Sequence, residues 1–161
     1  MSGSDPLFSG DLSRIDHCSL LRMLTDPFGT NALTNAIIGC GIRVHRTIGP
    51  GVYENVYCEC MEYELKEQGL PFELGRPAAI VYKGVRLKSM YYIDIVVDNQ
   101  VAVELKAVET LAEIHRRQVL TQLKLTGLPV GLLMNFNVVT LTEGGVKRIV
   151  NPNVQRSEPS P

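Results

Sequence analysis

Apolar positions change their spacing along the chain, and each change marks an element. From Asn31 onward, Leu33, Ile37, Ile38, Gly41, Val44 and Ile48 recur at three- and four-residue steps. That pattern predicts a helix with Thr30 or Asn31 as its cap, ending at Gly49-Pro50-Gly51. A second helix is expected from near Val52 to Gly69, with Tyr57, Met61 and Leu65 on one stripe. Beyond Leu70-Pro71 the spacing shifts to two. Phe72 to Val81 reads as extended, with Gly75 and Pro77 suggesting a bulge or an edge strand, and Val85 to Val97 returns as a long strand after the Lys83-Gly84 turn. A third helix is expected over Leu111–Thr126, stopped by Gly127, followed by the continuous apolar run Val130–Phe136 of a buried strand. Val146–Val150 then forms a final edge strand or a helix start.

The stretch from Tyr92 to Lys106 reads most sharply. Both arms alternate and are dominated by β-branched residues, so they predict a hairpin. With Asp98-Asn99-Gln100 as the loop, Val97 faces Val101, Ile95 faces Val103 and Asp94 faces Glu104. Ile93, Ile95, Val97, Val101, Val103 and Leu105 then share one face, and Tyr92, Asp94, Val96, Ala102, Glu104 and Lys106 the other. A two-residue loop would mix the faces, which a buried sheet penalises. Together with Phe72–Val81 the hairpin makes an antiparallel meander. The order strand, helix, strand from Val101 to Phe136 predicts a parallel crossover.

This register has a chemical consequence. Directly opposed residues have Cβ atoms roughly 4.5–5.5 Å apart, where like charges repel. Asp94 and Glu104 so placed need a counter-charge. Lys106 supplies one, and a hard divalent cation such as Mg²⁺, which takes one or two protein carboxylates, would satisfy both. The plain alternative is a surface cluster on a solvated sheet face, against which stand Tyr92, Val96 and Ala102 beside the charges. Glu54 in the first turn of the second helix and His45 near the end of the first are both explained by favourable charge–dipole placement. Lys83, Arg86 and Lys88 cluster around a turn, where they would contact either phosphates or only solvent.

Length and composition set the frame. The 161 residues suit one domain able to bury a core, with 45% hydrophobic and 20% charged residues. Residues 31–151 are expected to hold the domain, with a poorly ordered extension over 1–30 and a flexible tail over 152–161. No apolar run approaches the roughly 20 residues that span a bilayer, and no signal peptide is recognisable, so a cytoplasmic location is expected. Cys18, Cys40, Cys58 and Cys60 lack the spacing of a zinc or redox motif and read as free thiols. A formal charge of −1 and a pI near 6.3 argue against a strongly electrostatic nucleic-acid binder, although they leave room for a local basic patch.

Gly51-Val52-Tyr53-Glu54-Asn55-Val56-Tyr57 carries the Gly-x-x-Glu-x-x-Tyr signature, and the chain resembles the bacterial GxxExxY proteins. Ile48-Gly49-Pro50-Gly51, Val103-Glu104-Leu105-Lys106-Ala107, Thr126-Gly127 and Leu133-Met134-Asn135-Phe136 extend the resemblance over about Asn31 to Asn151. That family is placed in the PD-(D/E)xK nuclease superfamily. The resemblance implies an α/β fold with a restriction-endonuclease-like core, a mixed central sheet with an antiparallel meander flanked by helices. It also implies metal-dependent hydrolysis of phosphodiester bonds, with nucleic acid, DNA above all, as partner. Asp94 and Glu104 match the two motif acids and Lys106 the motif lysine. Glu54 matches the extra acid of the metal site, which the Leu105 carbonyl would join, and Gln118 matches the glutamine of the following helix. The implied cofactor is Mg²⁺ or Mn²⁺. Two positions depart from the wider pattern, Gln122 where a tyrosine is common and Tyr92 where an arginine is common. They keep a second expectation open, a nuclease-fold module of weak or no activity that binds nucleic acid or a protein partner.

Overall fold

The computed structural model describes residues 28–154, so most of the expected terminal extensions, and Cys18, lie outside the described residues. Helix α1 runs Asn31–Ile48, with both bounds as predicted, and ends where Gly49 takes a positive φ of 74°. Helix α2, Glu54–Glu67, starts two residues later than expected because Tyr53 is extended and serves as its cap. Helix α3 covers Glu113–Thr126, and Gly127 closes it in the left-handed conformation with its N–H on the Leu123 carbonyl. No helix among the described residues is long and apolar enough to cross a membrane.

Five strands, β1 (Phe72–Tyr82), β2 (Val85–Val97), β3 (Val101–Lys106), β4 (Val130–Asn135) and β5 (Val146–Val150), form one sheet in chain order. β3 and β4 pair in parallel across the α3 crossover, and the other neighbours are antiparallel. The fold is thus a mixed sheet with helices, as expected. Val146–Val150 resolves as an edge strand. Ile95 faces Val103 and Val97 faces Val101, the predicted hairpin register. Asp98 and Asn99 make the turn with φ of 50° and 51°, and both residue types tolerate that region.

The sheet separates two apolar layers. On one side Ile37, Tyr57, Met61, Ile95, Val103, Leu105 and Phe136 pack beneath α1 and α2. On the other, Val96, Ala102, Val119, Leu123 and Leu133 pack beneath α3. Two glycines allow the close approach. A Cβ on Gly41 would stand 2.3 Å from the Met134 Cε, and one on Gly131 would stand 2.5 Å from a Val119 methyl.

One face assignment is corrected. Ile93, expected beside Ile95, packs instead in the α3 layer with Val96. Strict alternation fails at Asp94. Opposite it in β1, Gly75 has φ of 58° and leaves the ladder between the Leu74–Ile95 and Arg76–Ile93 pairs, while the β2–β3 pairing begins only at Ile95. Freed from partners on both sides, the strand turns there.

Candidate active site

The C-terminal end of β3 collects the charged residues. Glu104, 7% exposed, accepts from the Lys106 Nζ at 2.6 Å on one oxygen and from the Gln122 Nε2 at 2.8 Å on the other. Asp94, on β2, accepts the Leu105 backbone N–H at 2.8 Å. Glu54, the first residue of α2, accepts the Ala107 N–H at 3.2 Å. Three acids from three elements are therefore held on one short stretch, 104–107. Leu105 itself is buried in the apolar layer beneath α1 and α2.

The Gly-x-x-Glu-x-x-Tyr segment explains how Glu54 reaches that stretch. Gly51, at φ of 103°, turns the chain between the helices. Tyr57 stacks on Phe136 with centroids 4.4 Å apart, and its hydroxyl donates to the Gly49 carbonyl at 2.7 Å. Buried one turn into α2, Tyr57 anchors the loop that delivers Glu54. Its role is to position that loop.

Asp94 and Glu104 do not share a face as alternation predicts. Asp94 lines a cleft of about 440 Å³ beside α2, together with Glu54, Cys58, Glu59 and Glu62, whereas Glu104 turns towards α3. The two still interact. Burial first, and then the Glu104 charge, raises the Asp94 carboxyl from 3.8 to about 6, and the Leu105 N–H and Lys106 offset only part of this. Burial alone would lower the Lys106 ammonium, but its hydrogen bond and charge attraction to Glu104 outweigh that and hold it above its ordinary value. Lys106 is therefore a fixed cation at neutral pH.

The donor chemistry fits a hard divalent cation. Asp94 and Glu104 offer carboxylate oxygens, and Asp94 is raised first by burial and then by the Glu104 charge. Among the described residues no three Asp, Glu, His or Cys side chains converge closely enough to hold one ion. Glu54 thus stands beside the acidic pair on its backbone partner, without closing a three-acid cage.

Gln118 is half-buried on α3 and has no hydrogen bond to the acids. The glutamine that meets Glu104 is Gln122, one turn later and 2% exposed. Its Nε2 also lies 3.5 Å from the Tyr92 carbonyl, while its Oε1 is buried without a partner. Ile114, Gln118 and Gln122 stand four residues apart in the sequence, a spacing that puts them on one stripe of a helix without showing which turn lies over Glu104. Asn135 carried no signal of its own beyond its place in Leu133–Phe136. It is buried, donates to the Val108 carbonyl at 2.7 Å and accepts the Val108 N–H at 3.1 Å. The chain leaving Lys106 is thereby pinned to β4. His45 lies apart, with its Nε2 2.8 Å from the Val138 carbonyl, a structural contact. Cys40, Cys58 and Cys60 are free thiols.

Comparison with protein families gives a match over residues 31–149 to the model of the PD-(D/E)XK nuclease superfamily. Neither a curated protein nor a solved structure matches the chain.

Proposed function

This chain belongs to the PD-(D/E)XK nuclease superfamily, and from that membership we propose that it is a metal-dependent nuclease cleaving phosphodiester bonds in DNA. The observation that carries the reading is the gathering of Asp94, Glu104 and Glu54 on residues 104–107 beside a permanently charged Lys106. We assign the chain to the GxxExxY branch on Gly51, Glu54 and Tyr57, whose loop-anchoring arrangement gives the signature a physical purpose.

Asp94 and Glu104 would hold Mg²⁺ or Mn²⁺, with the Leu105 carbonyl and Glu54 as additional oxygens. When bound, such a cation polarises a phosphate and lowers the pKa of attached water. The chain's own groups supply the rest. Lys106, charged and braced by Glu104, orients the attacking water and stabilises charge developing on the phosphate oxygens. Gln122 fixes the Glu104 carboxylate, leaving its own Oε1 as an acceptor near the pair. Gln118, one turn away on α3, would act on the substrate and not through the acids. The free thiols agree with a cytoplasmic setting.

A second reading rests on a specific observation. Both Glu104 oxygens are engaged by protein donors, and no three-acid cage forms among the described residues. That arrangement suits a module that keeps the fold and binds nucleic acid or a partner protein without turnover. The deciding experiment incubates labelled single- and double-stranded DNA with wild type and Lys106→Ala, purified in parallel, in Mg²⁺, Mn²⁺ or EDTA. Metal-dependent cutting that disappears in Lys106→Ala supports the nuclease. Folded wild type that cuts nothing in either metal contradicts it and favours the binding module.

A further inference from the structure

The sheet does not end where its site ends. β2 pairs with β3 only over Ile95–Val97, although β2 itself begins at Val85. The stretch of β2 before Asp94 therefore has β1 as its one neighbour, with a register shift near the arm's tip. At about 3.3 Å per residue, this two-stranded ribbon runs roughly 20 Å past the site, from the same end of the sheet. Every residue from 81 to 89 is exposed.

The charge on this ribbon is segregated. Between Leu74 and Ile93 stand Arg76, Lys83, Arg86 and Lys88, with no aspartate or glutamate among them. Because the whole chain carries a formal charge of −1, the remainder is net acidic. Arg76 is occupied by Glu73 and Asn99. Among the described residues Lys83, Arg86 and Lys88 form no salt bridge, and Lys83 only rests over the Tyr82 ring, 5.5 Å from its centre. The cleft at the site has the opposite sign, lined by Glu54, Glu59, Glu62 and Asp94. Such a cleft repels a polyanion, so affinity for nucleic acid has to come from elsewhere on the molecule.

We propose that the β1–β2 arm is the element that grips the nucleic acid, with Lys83, Arg86 and Lys88 neutralising backbone phosphates of a DNA duplex. This rests on the nucleic-acid reading above. A two-stranded ribbon fits the major groove of B-form DNA. Arg86 and Lys88 stand exposed beside the exposed Val85 and Leu87, so the same arm presents phosphate-binding and apolar contacts. Pairing with a second copy through this arm is disfavoured, because it would bring two sets of unpaired cations together.

The test measures binding of a fluorescent B-form duplex in EDTA across a range of salt. It compares wild type with the triple variant Lys83→Ala, Arg86→Ala, Lys88→Ala and with the single variant Lys88→Glu, each checked by thermal melting and sizing. Each phosphate contact contributes about 0.9 to the salt slope. The triple variant is expected to bind at least tenfold more weakly, with its slope shallower by about 2–3, at unchanged Tm. Lys88→Glu is expected to weaken binding in the same direction. Equal affinity and slope in wild type and variants would overturn the proposal, as would a wild type that binds no duplex. Altered oligomeric state with unchanged duplex affinity would also overturn it and mark the arm as a self-association element. Cleavage is scored separately. Arm-dependent binding without cutting supports the grip and contradicts the nuclease, and cutting with arm-independent binding does the reverse.

Discussion

The two faces of β3 are built from alternate residues of one six-residue strand, yet they solve different problems. Val101, Val103 and Leu105 enter a layer closed over by α1 and α2, where Tyr57 and Phe136 stack and the contacts are apolar. Ala102, Glu104 and Lys106 look the other way. There the buried Glu104 carboxylate holds the half-buried Lys106 ammonium on one oxygen and the buried Gln122 amide of α3 on the other. The first face gains stability from area removed from water. The second forgoes much of that gain to hold a charged cluster whose desolvation costs offset its attraction. On the proposed function the charged cluster serves the chemistry, so substitutions on the two faces should fail in different ways.

The largest separation is expected from Lys106→Ala. Lys106 is the proposed charge-stabilising donor, so its loss is expected to lower turnover by about 10²–10³-fold, while the effect on melting is expected to be smaller than that of a core truncation. Steady-state cleavage and thermal melting on the same preparation check this. Leu132→Ala, in the apolar layer, is expected to destabilise by about 2–5 kcal/mol, as measured by denaturant unfolding. The cleavage rate of its folded fraction should hold.

Gln122→Leu removes the amide from a buried carboxylate. A cost of about 1.5–3 kcal/mol is expected, and the wider effect should be on activity, because Glu104 loses its orienting donor. Gln118→Leu is expected to leave stability nearly unchanged.

Asp94 reverses the usual direction. Its folded pKa of about 6 lies above the ordinary 3.8, so between those values the native state binds the proton more tightly than the unfolded chain. Stability from this group is fully present below about pH 3.8 and is lost as pH rises through 6. Allowing for its partial exposure, Asp94→Asn is expected to stabilise the metal-free protein at pH 7 by about 1–2 kcal/mol, with the gain vanishing below pH 4. Chemical unfolding of both proteins across that range in EDTA measures it. A loss of about 1 kcal/mol is expected from Tyr57→Phe, for the missing bond to the Gly49 carbonyl.

Much of this comparison was legible in the chain. Period-two spacing with a three-residue loop predicts the hairpin register, and glycines at 49 and 127 mark the helix ends, because these are local effects. Glu104 and Lys106 on one face follow from the same arithmetic. The turn of β2 at Asp94 did not, since it depends on Gly75 in a neighbouring strand and on where the β3 pairing begins. Gln122 reads in the sequence as a departure from the pattern, and the fold makes it the partner of Glu104. A stripe of glutamines one turn apart does not reveal how far α3 slides along the sheet, which Gly131 and Val119 decide through packing. The grip of Asn135 on Val108 joins residues 27 apart, beyond any local periodicity.

The measurement that bears most directly on the charged face as a cation-dependent centre is a titration with Mn²⁺ at pH 7.5, followed by calorimetry. Wild type is compared with Asp94→Asn and Glu104→Gln, neither of which changes side-chain volume much. The account predicts a site in wild type that either substitution weakens at least tenfold, with Mn²⁺ raising the melting temperature of wild type alone. Equal Mn²⁺ binding by all three proteins, or none by a folded wild type, would contradict it.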